Sequence, residues 1–156
     1  MKIFKIAAML TGIILLTCLS FGIVSAANPP EPTYDIAEVD GDYGEWDLAY
    51  DFFADMYRAG NPDFPVETKL YLRYDCSTNV LYALVLAEED VRVLIYDPVE
   101  GNHADDAYIR VNGVKKVDGN SGDDGTPPDF AWIGQYSEDD YVYAEGWEAS
   151  AVIAPG

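Results

Sequence analysis

The stretch Thr68-Lys69-Leu70-Tyr71-Leu72-Arg73-Tyr74, Asp75-Cys76-Ser77-Thr78-Asn79, Val80-Leu81-Tyr82-Ala83-Leu84-Val85-Leu86-Ala87, Glu88-Glu89-Asp90 decides the fold. Two strand-like runs flank a linker of turn formers, so the segment reads as a β-hairpin that closes on a carboxylate cluster. In the first arm Leu70, Leu72 and Tyr74 share one face and Lys69, Tyr71 and Arg73 the other, the period-2 pattern of a half-buried strand. The second arm is apolar on both faces. It is expected to be a central strand covered on both sides.

Working outward toward the N-terminus, Ile36 to Val39 reads as a short strand, and Asp40-Gly41-Asp42-Tyr43-Gly44-Glu45-Trp46-Asp47 as a tight turn closed by Trp46. Its three carboxylates, Asp40, Asp42 and Glu45, either face a calcium ion or cap an Asx-type turn around a core Trp. Residues 54–66 carry Gly60, Pro62 and Pro65 and read as a long loop with one helical turn at its start. Toward the C-terminus, Val91 to Tyr96 is a further strand. Ala107 to Val111 and Val114 to Val117 are joined by Asn112-Gly113, which supplies both positive φ values of a type I′ turn. Phe130 to Tyr136 and Tyr141 to Ala154 add two or three strands. Some eight short strands without a long helical period predict an all-β protein, an antiparallel β-sandwich of jelly-roll or immunoglobulin-like type. Twelve Tyr and three Trp suit pleated surfaces.

At 156 residues and 49% hydrophobic content, one domain is expected. Residues 1–27 combine Lys2 and Lys5, an apolar run from Ile6 to Val24 and the small residues Ser25-Ala26-Ala27, the pattern of a hydrophobic leader helix cleaved as a secretory signal. The rival is an uncleaved anchor that displays the protein at the cell surface. Cys18 follows Leu15-Leu16-Thr17, close to a lipoprotein box except that Thr17 stands where a small residue is expected. Residues 28–33, rich in Pro, form a linker, and 34–156 form the module. The protein is therefore expected to be secreted or extracellular.

Only two of the nine Lys and Arg, and none of the 28 Asp and Glu, precede residue 31. The rest of the chain thus sets seven basic against 28 acidic side chains, a net −21. Such a surface repels the phosphate backbone, so nucleic acid is excluded as a partner. Cations, basic proteins, or simply water and salt remain as partners for it.

Two acidic sets are candidate calcium ligands. Asp118, Asn120, Asp123 and Asp124 place oxygen donors on a Gly-rich loop, though not in the EF-hand pattern: Gly122 comes one place early and Asp129 stands where a bidentate Glu is usual. Glu88, Asp90, Asp105 and Asp106, with Glu89, close strands on either side of Val91–Tyr96 and would crowd if those ends met. In both cases the alternative is carboxylates in water. His103, the one histidine, is expected to be exposed in its loop, and without a second His or paired Cys it argues against zinc. With no Gly-x-Ser-x-Gly elbow, nothing marks a nucleophile, so the chain is not expected to be an enzyme. Cys76, in a hairpin turn, is unpaired within the module and points to an intermolecular disulfide or a free thiol.

Val39-Asp40-Gly41 with Trp46, the paired Leu70-Tyr71 and Leu81-Tyr82-Ala83-Leu84-Val85 with the terminal Glu89-Asp90, Asp105-Asp106-Ala107-Tyr108-Ile109-Arg110-Val111, and Gly146-Trp147-Glu148-Ala149 together resemble the family 9 carbohydrate-binding modules and the related DOMON-like sandwiches. The resemblance implies a non-catalytic β-sandwich on an extracellular protein, stabilised by calcium, with a polysaccharide or glycan held between aromatic rings. Trp132, Trp147 and Tyr108 are the candidate ligand-binding residues. Those modules usually run on for several further strands. The expectation is therefore a truncated or minimal version, or self-association in which a partner supplies a strand; a structural subunit of a surface layer or fibre is the alternative function.

Overall fold

The computed structural model describes residues 30–153; the leader, Cys18 and the start of the linker lie outside them. Eleven strands run among the described residues: β1 Phe52–Tyr57, β2 Val66–Asp75, β3 Val80–Ala87, β4 Val93–Asp97, β5 Gly101–Asn102, β6 Tyr108–Val111, β7 Val114–Asp118, β8 Asp129–Ile133, β9 Tyr136–Glu138, β10 Tyr141–Ala144 and β11 Gly146–Val152. They form a five-stranded sheet in the order β1-β2-β3-β11-β8, a four-stranded sheet β5-β4-β10-β9, and the β6-β7 hairpin. All of these strand pairs are antiparallel. No helix among the described residues is long and apolar enough to cross a membrane.

The central hairpin forms as its pattern predicts, in unbroken register from Thr68↔Ala87 to Asp75↔Val80. At its turn Asp75 accepts the Ser77 N–H and the Ser77 and Thr78 hydroxyls, which pulls its carboxyl down to about 2. β3 sits in the middle of the large sheet, and both its faces are covered. On one, Ala83 and Val85 join Trp147, Ala149 and Ala151 of β11 and Phe130 of β8, and pack against Ile109 and Val117 of the β6-β7 hairpin. On the other, Leu84 joins Tyr71 and Ile133 beneath Trp46 and Ala37. Fully burying a side chain such as Leu84 contributes about 2 kcal/mol. A third cluster, Ile95, Ala104 and Ala144, lies under the four-stranded sheet.

The cover of the second face is a strap, Thr33 to Asp51, with no regular strand. Ile36–Val39, expected as a strand, is irregular because its polar backbone is met by side chains of the sheet instead of by a neighbouring strand: Arg73 Nη1 donates to the Ile36 carbonyl at 2.8 Å. The strap also reverses the reading of β2. Tyr71 and Arg73, placed by alternation on the polar face, are buried, whereas Leu70 and Leu72 are only partly so. Arg73 tolerates burial because Nε and Nη2 reach Asp51 Oδ2 at 2.9 and 2.7 Å, Nη2 also reaches the Glu45 carbonyl, and the guanidinium lies 4.8 Å over the Trp46 ring.

Two further differences are local. Residues 54–57, expected to open a long loop, instead continue from Phe52 and Phe53 as the edge strand β1, whose alternating Phe52, Ala54 and Met56 are obscured by the Gly and Pro that follow. The C-terminal third holds four strands instead of two or three, because Asp139 and Asp140 both take positive φ, 50° and 69°, and turn β9 into β10 where Asn-Gly would be the usual signal. Asn112-Gly113 turns β6 into β7 as expected, with φ 50° and 79°.

Candidate functional site

The first face of the large sheet is only partly roofed by the β6-β7 hairpin, and the gap is a groove of about 550 Å³. β11 contributes Trp147, the start of β6 Tyr108, β1 Met56, β3 Val85 and the turn before β6 His103 and Asp106. A narrower apolar extension of about 220 Å³ continues from it over Leu70, Leu72 and Leu81 and shares Trp147 and Tyr108. Trp147 is 8% exposed, its ring stacked on Phe130 at 5.4 Å, so it is floor rather than protruding platform. Tyr108 is 39% exposed and stands at the rim, with the Arg110 guanidinium 4.9 Å and the Lys115 ammonium 5.1 Å from its ring centre. Those two cations hold the ring in place and occupy part of its π surface.

His103 is not the exposed loop residue expected. Its side chain is 24% exposed and lines the groove. The turn folds it inward because its backbone N–H bonds the Ile95 carbonyl at 2.8 Å. Nδ1 lies 3.2 Å from Asp106 Oδ2, while Nε2 is buried without a hydrogen-bond partner. An isolated loop His carries no periodic signal, so no pattern in the chain could have found it.

Trp132 sits elsewhere. It faces Trp147 across the β8-β11 pairing, packs edge-on to Phe130 at 4.8 Å and also touches the third cluster. Gly119 passes so close that a Cβ there would lie 2.5 Å from Trp132 Cζ2. The structure thus brings Trp147 and Tyr108 to one groove and leaves Trp132 in the packing behind it.

Five of the eight candidate calcium ligands are engaged by their own neighbours. Lys115 donates to Asp118 Oδ2 at 3.0 Å, which, with the Asn120 N–H on Oδ1, holds the Asp118 carboxyl below the usual carboxylate range. Asn120 Oδ1 accepts from Asn102, and Asp124 caps its own turn through the Thr126 N–H. Asp123 is exposed. Glu88 pairs with Lys69 at 2.6 Å; Asp90 and Asp105 are exposed, and Asp106 faces His103. Asp40 and Asp42 accept backbone N–H groups two residues on, the Asx arrangement. Among the described residues no three His, Cys, Asp or Glu side chains are gathered as a metal ion would require. Cys76 is exposed and free.

On the strap side, a row of buried polar residues crosses the sheet in register: Arg73 on β2, Ser150 on β11 and Asp129 on β8, with Glu148 one step along β11. Asp129 accepts the Asp124 and Gly125 N–H groups and so pins the acidic loop. Glu148 Oε1 accepts the Asp40 and Gly41 N–H groups at 2.8 and 2.6 Å. Burial pushes its carboxyl up to about 7, against the downward pull of those two bonds and of the Trp46 indole N–H. Neither residue reads as buried in the sequence, because an acid in an apolar strand reads as solvent-facing until something covers it. Comparison with family models, with curated proteins and with solved structures finds no match for this chain.

Proposed function

We propose that the protein is a secreted or surface-displayed β-sandwich module that binds a glycan without transforming it, in the groove floored by Trp147. The sandwich reading rests on the layering, with the β6-β7 hairpin and the four-stranded sheet set over one face of the large sheet. The observation that carries the function is the convergence of Tyr108, Trp147, His103 and Asp106 on one groove of about 550 Å³. A pyranose offers an apolar C–H face and a rim of hydroxyls, and such a groove offers aromatic and aliphatic surface beside a few polar groups. The net charge of −19 disfavours uronate or sulfated polymers and leaves neutral or amine-bearing glycans. The test is a glycan array probed with the wild type and with Tyr108→Ala. Retained signal on neutral or amino glycans, weakened by the substitution, supports the reading; silence on all of them, or an unchanged signal, overturns it.

A second reading follows from β1. It pairs only with β2, and Phe52 and Met56 on it are 43% and 40% exposed, an open edge on which a second chain could add a strand. Register shifts at Phe52/Ala54 and Met56/Tyr57 interrupt that edge and work against long-range pairing. Sizing chromatography separates the two readings: a monomer that binds glycan favours the first, polymers that do not bind favour the second.

A further inference from the structure

The strap is pinned to the sheet at two buried points of opposite electrical character. At the first, Arg73 meets Asp51 and the two charges cancel. At the second, fully buried Glu148 takes both the Asp40 and Gly41 N–H groups on Oε1 alone. Its other oxygen, Oε2, is buried without a well-formed hydrogen bond, and the Trp46 Nε1–H, likewise buried and unpaired, is the donor beside this carboxyl and pulls against its protonation. The fit is close. Gly41 takes φ +85°, and a Cβ there would come within 2.9 Å of the Trp132 carbonyl oxygen, so the loop reaches Glu148 only as glycine.

The charged and titratable groups on this face of the sheet around Glu148 include Tyr71 and Arg73 on β2, Tyr82 on β3 and Asp129 on β8, with Asp40, Glu45 and Asp51 on the strap over it. Only Arg73 is a cation, and its guanidinium is already bonded to Asp51 and to the Ile36 and Glu45 carbonyls. A carboxylate here has no counter-charge, and Glu45 repels it. Sealed from water with no cation beside it, the carboxyl is held as the neutral acid by the cost of burying an unpaired charge, although the Asp40, Gly41 and Trp46 N–H groups all favour the anion.

We propose that Glu148 is a proton-dependent latch: as the neutral acid it holds the strap on the sheet, and when it ionises the Asp40–Gly41 segment lifts to let water reach it. The native carboxyl, at about 7, lies above the ordinary value of 4.5, so the folded state binds this proton more tightly than the unfolded chain does. The stabilisation is complete below about pH 4.5 and is lost as the pH rises through about 7. By pH 8 the latch alone lowers the folded-to-unfolded ratio on the order of a hundredfold.

The test combines a carboxyl-carbon NMR titration of the wild type with thermal unfolding from pH 5 to 8.5 for wild type and Glu148→Gln, and amide exchange at Asp40 and Gly41. The latch predicts that Glu148 titrates near 7, that the wild-type midpoint falls across the range, and that Glu148→Gln removes most of the fall while keeping an acceptor for both N–H groups. Above pH 7, Asp40 and Gly41 should lose protection faster than the β3 amides, after correction for intrinsic exchange. Titration near 4.5, equal pH slopes in the two proteins, or unchanged relative protection at Asp40 and Gly41 overturns it. Should Glu148→Gln not fold, the wild-type titration and exchange decide alone.

Discussion

On one face of the five-stranded sheet Val85, Trp147 and Leu70 meet a regular β-hairpin and leave a groove open; on the other, Tyr71, Leu84 and Ile133 lie under an irregular strap. The two faces come from the same strands, one residue apart. They differ because their covers differ. The β6-β7 hairpin satisfies its own backbone in its own ladder, so the sheet beneath it stays apolar. The strap brings N–H and C=O groups with no strand to receive them, and a buried backbone polar group without a partner is costly. The sheet therefore supplies Arg73 and Glu148 from below. An apolar face is free to present a ligand surface, whereas a face under an irregular cover is committed to holding it.

Breaking the strap at its ion pair should have the largest effect. Arg73→Met leaves Asp51 buried without a counter-ion and the Ile36 and Glu45 carbonyls without a donor, and should cost about 3–5 kcal/mol in urea unfolding at pH 6. A cost below about 1 kcal/mol would mean that the strap is held by Trp46 and its apolar neighbours instead.

The pH profile sharpens the same contrast. Burial works to raise the Asp51 carboxyl, but the Arg73, Thr33 and Asp47 hydrogen bonds outweigh it and set it below 3.8. Its stabilisation is present above that value and is lost as the pH falls through the lower native one. Glu148 acts in the opposite sense on the alkaline side. Thermal midpoints from pH 2.5 to 8.5 should therefore peak near pH 4 to 5 and fall on both sides. A peak at pH 8 or above would show that neither buried acid governs stability.

The groove face predicts smaller changes. Tyr108→Ala should weaken glycan binding about tenfold, roughly 1.4 kcal/mol, in calorimetry, while lowering stability by less than about 1 kcal/mol, because the ring stands at the rim. Trp132→Phe should leave affinity unchanged although it loosens packing against Phe130. Equal losses of affinity from both would move the ligand away from the groove. Smallest of all, excess calcium against chelator should shift the thermal midpoint by no more than about 2 °C, since Asp118, Glu88 and Asp106 already have partners. A larger rise would show that the 118–124 loop gathers a cation.

Legibility tracked how local each signal was. Asn112-Gly113 carries its turn in two residues, and the Val80–Ala87 run carries its central position in one strand. Of the candidate ligand residues, Trp147 and Trp132 look alike in the chain, each an aromatic in an apolar run, and they separate only because β11 lies nearer the groove than the edge strand β8. His103 and Glu148 gave no signal of their burial, since a single polar residue has no period.

By itself, then, the sequence determined the strand content, the antiparallel hairpins and the two-sided cover of β3, because alternation and turn chemistry act between near neighbours. Only the tertiary structure decided which face of β2 is buried, which tryptophan meets the groove and which acid is sealed from water. Burial depends on what segment lies over a residue, and here the cover of Arg73 and Glu148 comes from tens to more than a hundred residues away.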